Sequence, residues 1–275
     1  MSSASDLLRW GSAELGSPPE ARTLLAHATG VPVAGLLVLP SVDPAAEATY
    51  RTLVARRAAG EPVQYLTGVA HFRTVELAVG PGVFIPRPET EVLVGWALDC
   101  LAAVPGTPRV VELCAGSGAI SKAIAVEHPG CEQWAVELSE EAVDFAAINL
   151  SRTDVVLTGG DMADAFPELN GTIDLVIANP PYIPLTAYEG VAKDVRENEP
   201  AIALFSGDDG LDAMRVVADV AARLLRPGGW VGAEHAEVQE ESVVRVFTKG
   251  RRFLDVRDHR DLAGRPRYVT ARLVG

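Results

Sequence analysis

The residues best suited to do chemistry are Asn179-Pro180-Pro181-Tyr182, which directly follow the apolar run Ile173-Asp174-Leu175-Val176-Ile177-Ala178. That run has the length and composition of a buried strand. Prolines cannot donate to a strand ladder and hold φ at about −65°, so the strand must end at Asn179. The side-chain oxygen of Asn179 is one hydrogen-bond acceptor and the Pro180 carbonyl is a second. Pro181 and Tyr182 supply flat walls. Two acceptors and a wall form a cradle for a planar –NH2 group. The bland alternative is a strand running into a proline-rich turn, and a glycine turn upstream shifts the balance toward chemistry.

That turn lies in Val110-Val111-Glu112-Leu113-Cys114-Ala115-Gly116-Ser117-Gly118-Ala119-Ile120, which reads as strand, turn and helix. Gly116 and Gly118 allow the backbone to turn tightly against a ligand. The pattern is not GxGxxG, because the residue three after Gly118 is Ser121. Three carboxylates sharpen the reading. Glu112 lies at the end of the first strand. Glu137 closes the second strand, about twenty residues past the glycines, where it can accept from both hydroxyls of a ribose. Asp161, followed by Met162, comes after the third strand and is placed to accept from the exocyclic amine of a purine. Carboxylates at the ends of successive strands point at one crevice, where open α/β sheets bind ligands. Three acids, with no Lys or Arg beside the glycines, disfavour a pyrophosphate. S-adenosylmethionine, which carries a sulfonium and an ammonium, fits.

The elements that must position these residues follow from periodicity. Residues 1–68 read as a small helical domain, with Ser17-Pro18-Pro19-Glu20 as a helix start. Its third helix runs from Asp43-Pro44 to Ala59-Gly60 and presents Tyr50, Leu53 and Val54 as its buried side. Residues 69–84 read as a linking β-hairpin, with Phe72, Val75, Leu77 and Val79 near period two. A helix spans about 89–103. Strands at 109–113, 133–138, 154–158 and 173–178 then alternate with helices at 119–128 and 139–150. A long helix at 210–226 carries Leu211, Met214, Val217, Ala221 and Leu224 on one face and stops at Pro227-Gly228-Gly229. Strands follow at 230–234, 252–257 and 266–273. Alternating elements imply a mostly parallel sheet covered on both faces, with an antiparallel edge.

Composition bounds the rest. The chain has 275 residues, of which 48% are hydrophobic and 22% charged, as in a globular protein with a real core. No uncharged apolar run approaches the roughly 18 residues a membrane span needs. The start lacks a basic and apolar leader, and Cys100, Cys114 and Cys131 are scattered, which suits a reducing cytoplasm. Nothing calls for a metal. A net charge of −13 argues against broad wrapping of nucleic acid. Late basic residues from Arg245 to Arg267 are diluted by Asp255, Asp258 and Asp261 and read as solvated strand ends.

Taken together, these motifs resemble the class I S-adenosylmethionine-dependent methyltransferases. More narrowly, the chain resembles the release-factor glutamine N5-methyltransferases, the HemK/PrmC family. The matching stretches are Glu61 to Gly68, Phe84 to Glu91, Glu112 to Ile120, Asn179 to Tyr182, Glu199 to Asp212 and Arg260 to Arg267. The resemblance implies an amino-terminal substrate-recognition domain over residues 1–68, the hairpin 69–84 and a Rossmann-like methyltransferase domain over 85–275. It implies S-adenosylmethionine held by Glu112, Cys114, Ala115, Gly116, Ser117, Gly118, Glu137, Asp161, Met162 and Asn179. It implies methyl transfer, in the cradle of Asn179, Pro180, Pro181 and Tyr182, to the glutamine of the Gly-Gly-Gln loop of peptide chain release factors. A glutamine of a ribosomal protein, or an amino group of a DNA or RNA base, would be served by the same tetrapeptide. This chain departs from the family pattern in having Glu112 for aspartate, Cys114 for the first glycine, Ala115 for threonine and Met162 for an aromatic residue. Arg87 and Glu89 either close over the cofactor or form a salt-bridged helix start. Residues 186–200 read either as a mobile lid or as a solvated loop.

Overall fold

A computed structural model describes residues 2–275. The chain divides into two compact units: one comprises the residues up to Val69 together with Ala192–Asn198, the other Ala70–Val191 and Glu199–Gly275.

The first unit is helical. Helices α1 (Ala4–Leu15), α2 (Pro18–Thr29), α3 (Pro44–Ala58) and α4 (Val63–Thr67) start at residues that satisfy orphan backbone donors. Ser3, Ser17 and Asp43 each accept from a backbone N–H of the first turn, and Pro18 and Pro44 occupy first-turn positions. Tyr50, Leu53 and Val54 do form the buried face of α3, against Ala4, Leu7, Leu24 and Leu25. Fully burying each of these larger side chains contributes about 1.5–3 kcal/mol. The Tyr50 hydroxyl donates to the Leu7 carbonyl at 3.3 Å, so no polar atom of that ring is stranded in the core.

In the second unit a hairpin of β1 (Val69–Phe72) and β2 (Val75–Ala78) precedes α5 (Thr90–Ala102). Then come β3 (Arg109–Leu113), α6 (Ala119–Glu127), β4 (Glu132–Glu137), α7 (Glu140–Leu150), β5 (Val156–Gly159) and β6 (Ile173–Ala178). After the short α8 (Lys193–Asn198), which belongs to the first unit, come α9 (Asp212–Leu224), β7 (Leu225–Glu234), α10 (Glu240–Thr248), β8 (Phe253–Arg260) and β9 (Pro266–Leu273). The seven-stranded sheet has the order β5-β4-β3-β6-β7-β9-β8. Strands β5 through β7 are parallel, and β9 pairs antiparallel with both β7 and β8. The chain order reverses between β3 and β6, which opens a crevice at their carboxyl ends. All six residues of β6 are buried, as a central parallel strand requires. The predicted face of α9 covers it: Leu211, Met214, Val217, Ala221 and Leu224 are all buried.

Two elements differ from the sequence reading. Strand β7 begins at Leu225, five residues before Trp230. Its register with β6 passes from Ile173↔Leu225 directly to Leu175↔Trp230, so Pro227-Gly228-Gly229 forms a bulge within the strand rather than preceding it. Helix α10 was not legible, because Val243-Val244-Arg245-Val246-Phe247 is rich in β-branched residues. Burial of Val243 and Phe247, one helical turn apart, decides it.

Candidate active site

Each of the five parallel strands delivers a polar side chain at or just beyond its carboxyl end: Glu112 from β3, Glu137 from β4, Asp161 after β5, Asn179 after β6 and Glu234 from β7. A cavity of about 420 Å³ opens there. It is lined by Glu112, Cys114 to Ser117, Glu137, Asp161, Met162 and Asn179 to Tyr182. Gly118 lies behind that lining. It sits at φ +76°, and a Cβ there would press on Leu150 at 3.2 Å.

The glycine turn is held by its neighbours. Glu137 accepts from Gly116 N at 2.7 Å through one carboxylate oxygen and from Ser139 N at 2.9 Å through the other. Buried Asn149 donates to the Ser117 carbonyl at 2.9 Å and bridges both backbone groups of Ala78, tying the turn to β2. Glu112 reaches the cavity, but its Oε2 also holds the first turn of α6, accepting from Ser121 N at 2.9 Å and from the Ser121 hydroxyl. Burial pushes the Glu112 carboxyl up to about 8, against the opposing effect of the Ser121 bonds. Asp161 is exposed at the rim and caps a short turn by accepting from Ala163 N at 2.9 Å.

The two departures Cys114 and Met162 touch one another. Cys114 Sγ lies 3.6 Å from Met162 Sδ, and Cys114 occupies the left-handed region at φ +58°. That backbone conformation is the one a glycine at this position would adopt without cost. Burial raises the Cys114 thiol strongly, and the charges of Glu137, Glu112 and Asp161 raise it further, so it stays protonated.

On the other side of the cavity, Asn179 Nδ2 donates to Thr90 Oγ1 at 3.3 Å. The Tyr182 hydroxyl donates to Glu234 Oε1 at 3.3 Å. The Tyr182 carbonyl accepts from Gln239 Nε2 at 2.9 Å, and Gly210 packs so closely that a Cβ there would collide with this carbonyl. Burial pushes the Glu234 carboxyl up to about 7, while Thr90, the Arg267 charge and Tyr182 pull it down. Arg267 is bonded to Asp261 at 3.2 Å, and Asp261 also accepts from Ala263 N and Arg265 N in the turn between β8 and β9. Thr90, Glu234, Gln239, Asp261 and Arg267 were not picked out as site residues in the sequence. For Glu234 a signal existed: it closes a parallel strand in the same way as Glu137.

Arg87 forms an ion pair with Glu199 and lies 4.7 Å from the centre of the Phe84 ring, and Glu89 lies 4.0 Å from Arg265. Both therefore take part in salt bridges at the entry to α5. The late arginines are likewise matched by acids: Arg245 with Glu241, Arg252 with Asp219, Arg260 with Glu240. Among the described residues no group of three or more His, Cys, Asp or Glu could hold a metal, and no helix is long and apolar enough to cross a membrane.

Residues 6–68 match the PrmC N-terminal domain family, and residues 91–195 match the Methyltransferase small domain family. The release factor glutamine methyltransferase of Streptomyces coelicolor is 49% identical over 266 residues, covering 96% of this chain and 94% of its own. The chain belongs to the release factor glutamine methyltransferase family. A second member, from Mycolicibacterium smegmatis, is 43% identical and covers 92% of this chain and 89% of its own. At the level of fold, a methyltransferase structure from Pyrococcus furiosus aligns with 80% of this chain and 97% of its own, with a TM-score of 0.52 at 20% identity. As a family member the chain is a methyltransferase, with the mostly parallel sheet expected of the class I enzymes.

Proposed function

We propose that this protein transfers the methyl group of S-adenosylmethionine to the side-chain amide nitrogen of the glutamine in the Gly-Gly-Gln loop of peptide chain release factors. The observation that carries this reading is the sharing of one cavity by the glycine turn and the Asn179-to-Tyr182 cradle. The donor set suits the cofactor. The cavity lining includes the carboxylates of Glu137, Asp161 and Asp212, with Glu112 kept protonated below about 8 by burial, and, among the described residues, no Lys, Arg or His. Such a lining favours a cationic nucleoside and repels a phosphate. Glu137 would hold the ribose hydroxyls with the lone pairs left by Gly116 N and Ser139 N, Asp161 and Met162 would face the base, and the turn from Cys114 to Gly118 would approach the remainder. When bound, S-adenosylmethionine supplies an electrophilic methyl group on a positively charged sulfur.

What the chain's own residues do follows from the chemistry of an amide. Its nitrogen is a poor nucleophile because the lone pair is delocalised into the carbonyl. Accepting both N–H bonds, at Asn179 Oδ1 and the Pro180 carbonyl, orients the nitrogen and favours a pyramidal geometry. The lone pair then points at the methyl group. Pro181 and Tyr182 restrict the glutamine side chain to that pose and keep water from competing. This would be catalysis by positioning and electrostatics: the N–C bond would form as the methyl group's bond to sulfur breaks, and the proton then shed by the nitrogen would pass to solvent, with no strong base needed.

The test is methyl transfer from labelled S-adenosylmethionine to a purified release factor, with the modified residue mapped by mass spectrometry. Wild type places label on the glutamine of the Gly-Gly-Gln loop, and Asn179→Ala lowers the labelling rate by about 100-fold or more, to a residual rate that can still be measured, while still binding cofactor. A release factor left unlabelled by active wild-type enzyme overturns the reading.

A further inference from the structure

The Asn179 side chain has two chemically opposite ends, and only its oxygen can accept from a substrate –NH2. The orientation of that amide is therefore a catalytic variable. Its Nδ2 end is held at 3.3 Å by Thr90 Oγ1, and Thr90 is only 4% exposed. A hydroxyl that accepts from an amide keeps its own proton to donate, and the Glu234 carboxyl, held down by Thr90 and carrying an Oε2 that is buried without a hydrogen-bond partner, is the acceptor available to it. An ionised Glu234 has nothing to donate, so only one direction is open: Asn179 N–H to Thr90, as observed, and the Thr90 O–H toward Glu234. The same carboxyl accepts the Tyr182 hydroxyl on Oε1 at 3.3 Å. Glu234 is 1% exposed, and the charge of Arg267, anchored on Asp261, compensates its own. The tetrapeptide is thus held at Tyr182 by the buried carboxylate that ends β7, 52 residues away in the sequence, and at Asn179 by Thr90, whose free proton is left to that same carboxylate.

We propose that Glu234 and Thr90 are positioning residues for the methyl transfer: together they lock the Asn179 amide with its oxygen toward the acceptor nitrogen and fix the Tyr182 ring beside it. This rests on the functional reading above. Neither residue donates to or abstracts from the substrate. Reversing the chain would turn the Asn179 –NH2 group toward the substrate –NH2 and set donor against donor.

The test compares wild type with Thr90→Val, which removes the hydroxyl at nearly constant shape, and with Thr90→Ser, which retains it. Assays run at about pH 8.5, above the value of about 7 that burial gives Glu234. Thr90→Val lowers kcat on release factor by about 10- to 100-fold, the scale of a lost orienting contact, and leaves the Kd for S-adenosylmethionine unchanged. Thr90→Ser restores kcat to within about threefold of wild type, a factor equivalent to about 0.65 kcal/mol. In an Asn179→Ala background, Thr90→Val has no further effect, because the residue it positions is gone. Glu234→Gln, whose new amide can donate to Thr90 and so reverse the chain, lowers kcat in the same way. A second readout needs no turnover. The side-chain –NH2 resonances of Asn179, identified by their loss in Asn179→Ala, shift in Thr90→Val and stay in place in Thr90→Ser. Full activity in Thr90→Val, additivity with Asn179→Ala, or an unmoved amide signal overturns the proposal. A wild-type enzyme that labels no release factor overturns the functional reading instead, and the amide signal then judges the positioning by itself.

Discussion

Replacing Glu112 by glutamine should make this protein's stability less sensitive to pH, and by an amount that can be worked out. Glu112 is 2% exposed, and burial raises its carboxyl from 4.5 to about 8 in the folded chain. The sign follows from proton counting. Between those two values the unfolded chain has lost this proton and the folded chain has kept it, so stability falls as pH rises, by about 1.4 kcal/mol per pH unit. The contribution is fully present below 4.5 and is lost by about 8, a swing on the order of 5 kcal/mol at most. Glutamine has nearly the same shape and can still accept from Ser121 N and the Ser121 hydroxyl, but it does not titrate. The assay is the urea midpoint followed by tryptophan emission, since Trp96, Trp134 and Trp230 lie in the sheet-bearing unit. From about pH 5.5 to 7.5, wild type should lose roughly 2–3 kcal/mol relative to Glu112→Gln, and Glu112→Gln should be the more stable protein at the alkaline end. A difference between the two that stays constant over this range would refute the reasoning. It would mean that the two Ser121 bonds hold Glu112 ionised throughout.

Two further predictions concern the cofactor side of the cavity. Glu137→Gln leaves one acceptor oxygen where Gly116 N and Ser139 N need two, and it removes the charge. With bonds to a charged acceptor contributing about 1.5–3 kcal/mol, the Kd for S-adenosylmethionine should rise about 10- to 100-fold by calorimetry, and an unchanged Kd would refute the role given to Glu137. Cys114→Gly relieves a left-handed strain of about 1–2 kcal/mol, but it surrenders the Met162 contact and loosens the unfolded chain, so its net effect on stability should stay below about 1 kcal/mol. Because Cys114 and Met162 touch, Cys114→Gly and Met162→Phe should couple by at least about 0.5 kcal/mol in a double-mutant cycle, and strict additivity would show the contact to be energetically empty.

The sequence by itself determined what depends on neighbours a few residues apart. The apolar run ending in two prolines at Asn179, the glycine turn after Leu113 and the single apolar face of α9 all arise from local dihedral preference and repeat, and all reappear in the fold. Successive carboxylates at strand ends could be placed in one crevice from the alternation of elements alone. Tertiary structure decided everything that depends on which strand lies beside which. Ala178 pairs in register with Ala233, so the residues that follow them, Asn179 and Glu234, stand side by side. Thr90 reaches Asn179 across 89 residues of chain. The helical state of Val243-Val244-Arg245-Val246-Phe247 and the bulge at Pro227-Gly228-Gly229 were likewise set by packing, where burial against α9 and β6 outweighed local propensity. Local preference fixes where each strand ends and what its last residue can do. Only the pairing of strands far apart in sequence brings a buried carboxylate against the side chains it must hold, because a long-range hydrogen bond leaves no periodic trace along the chain.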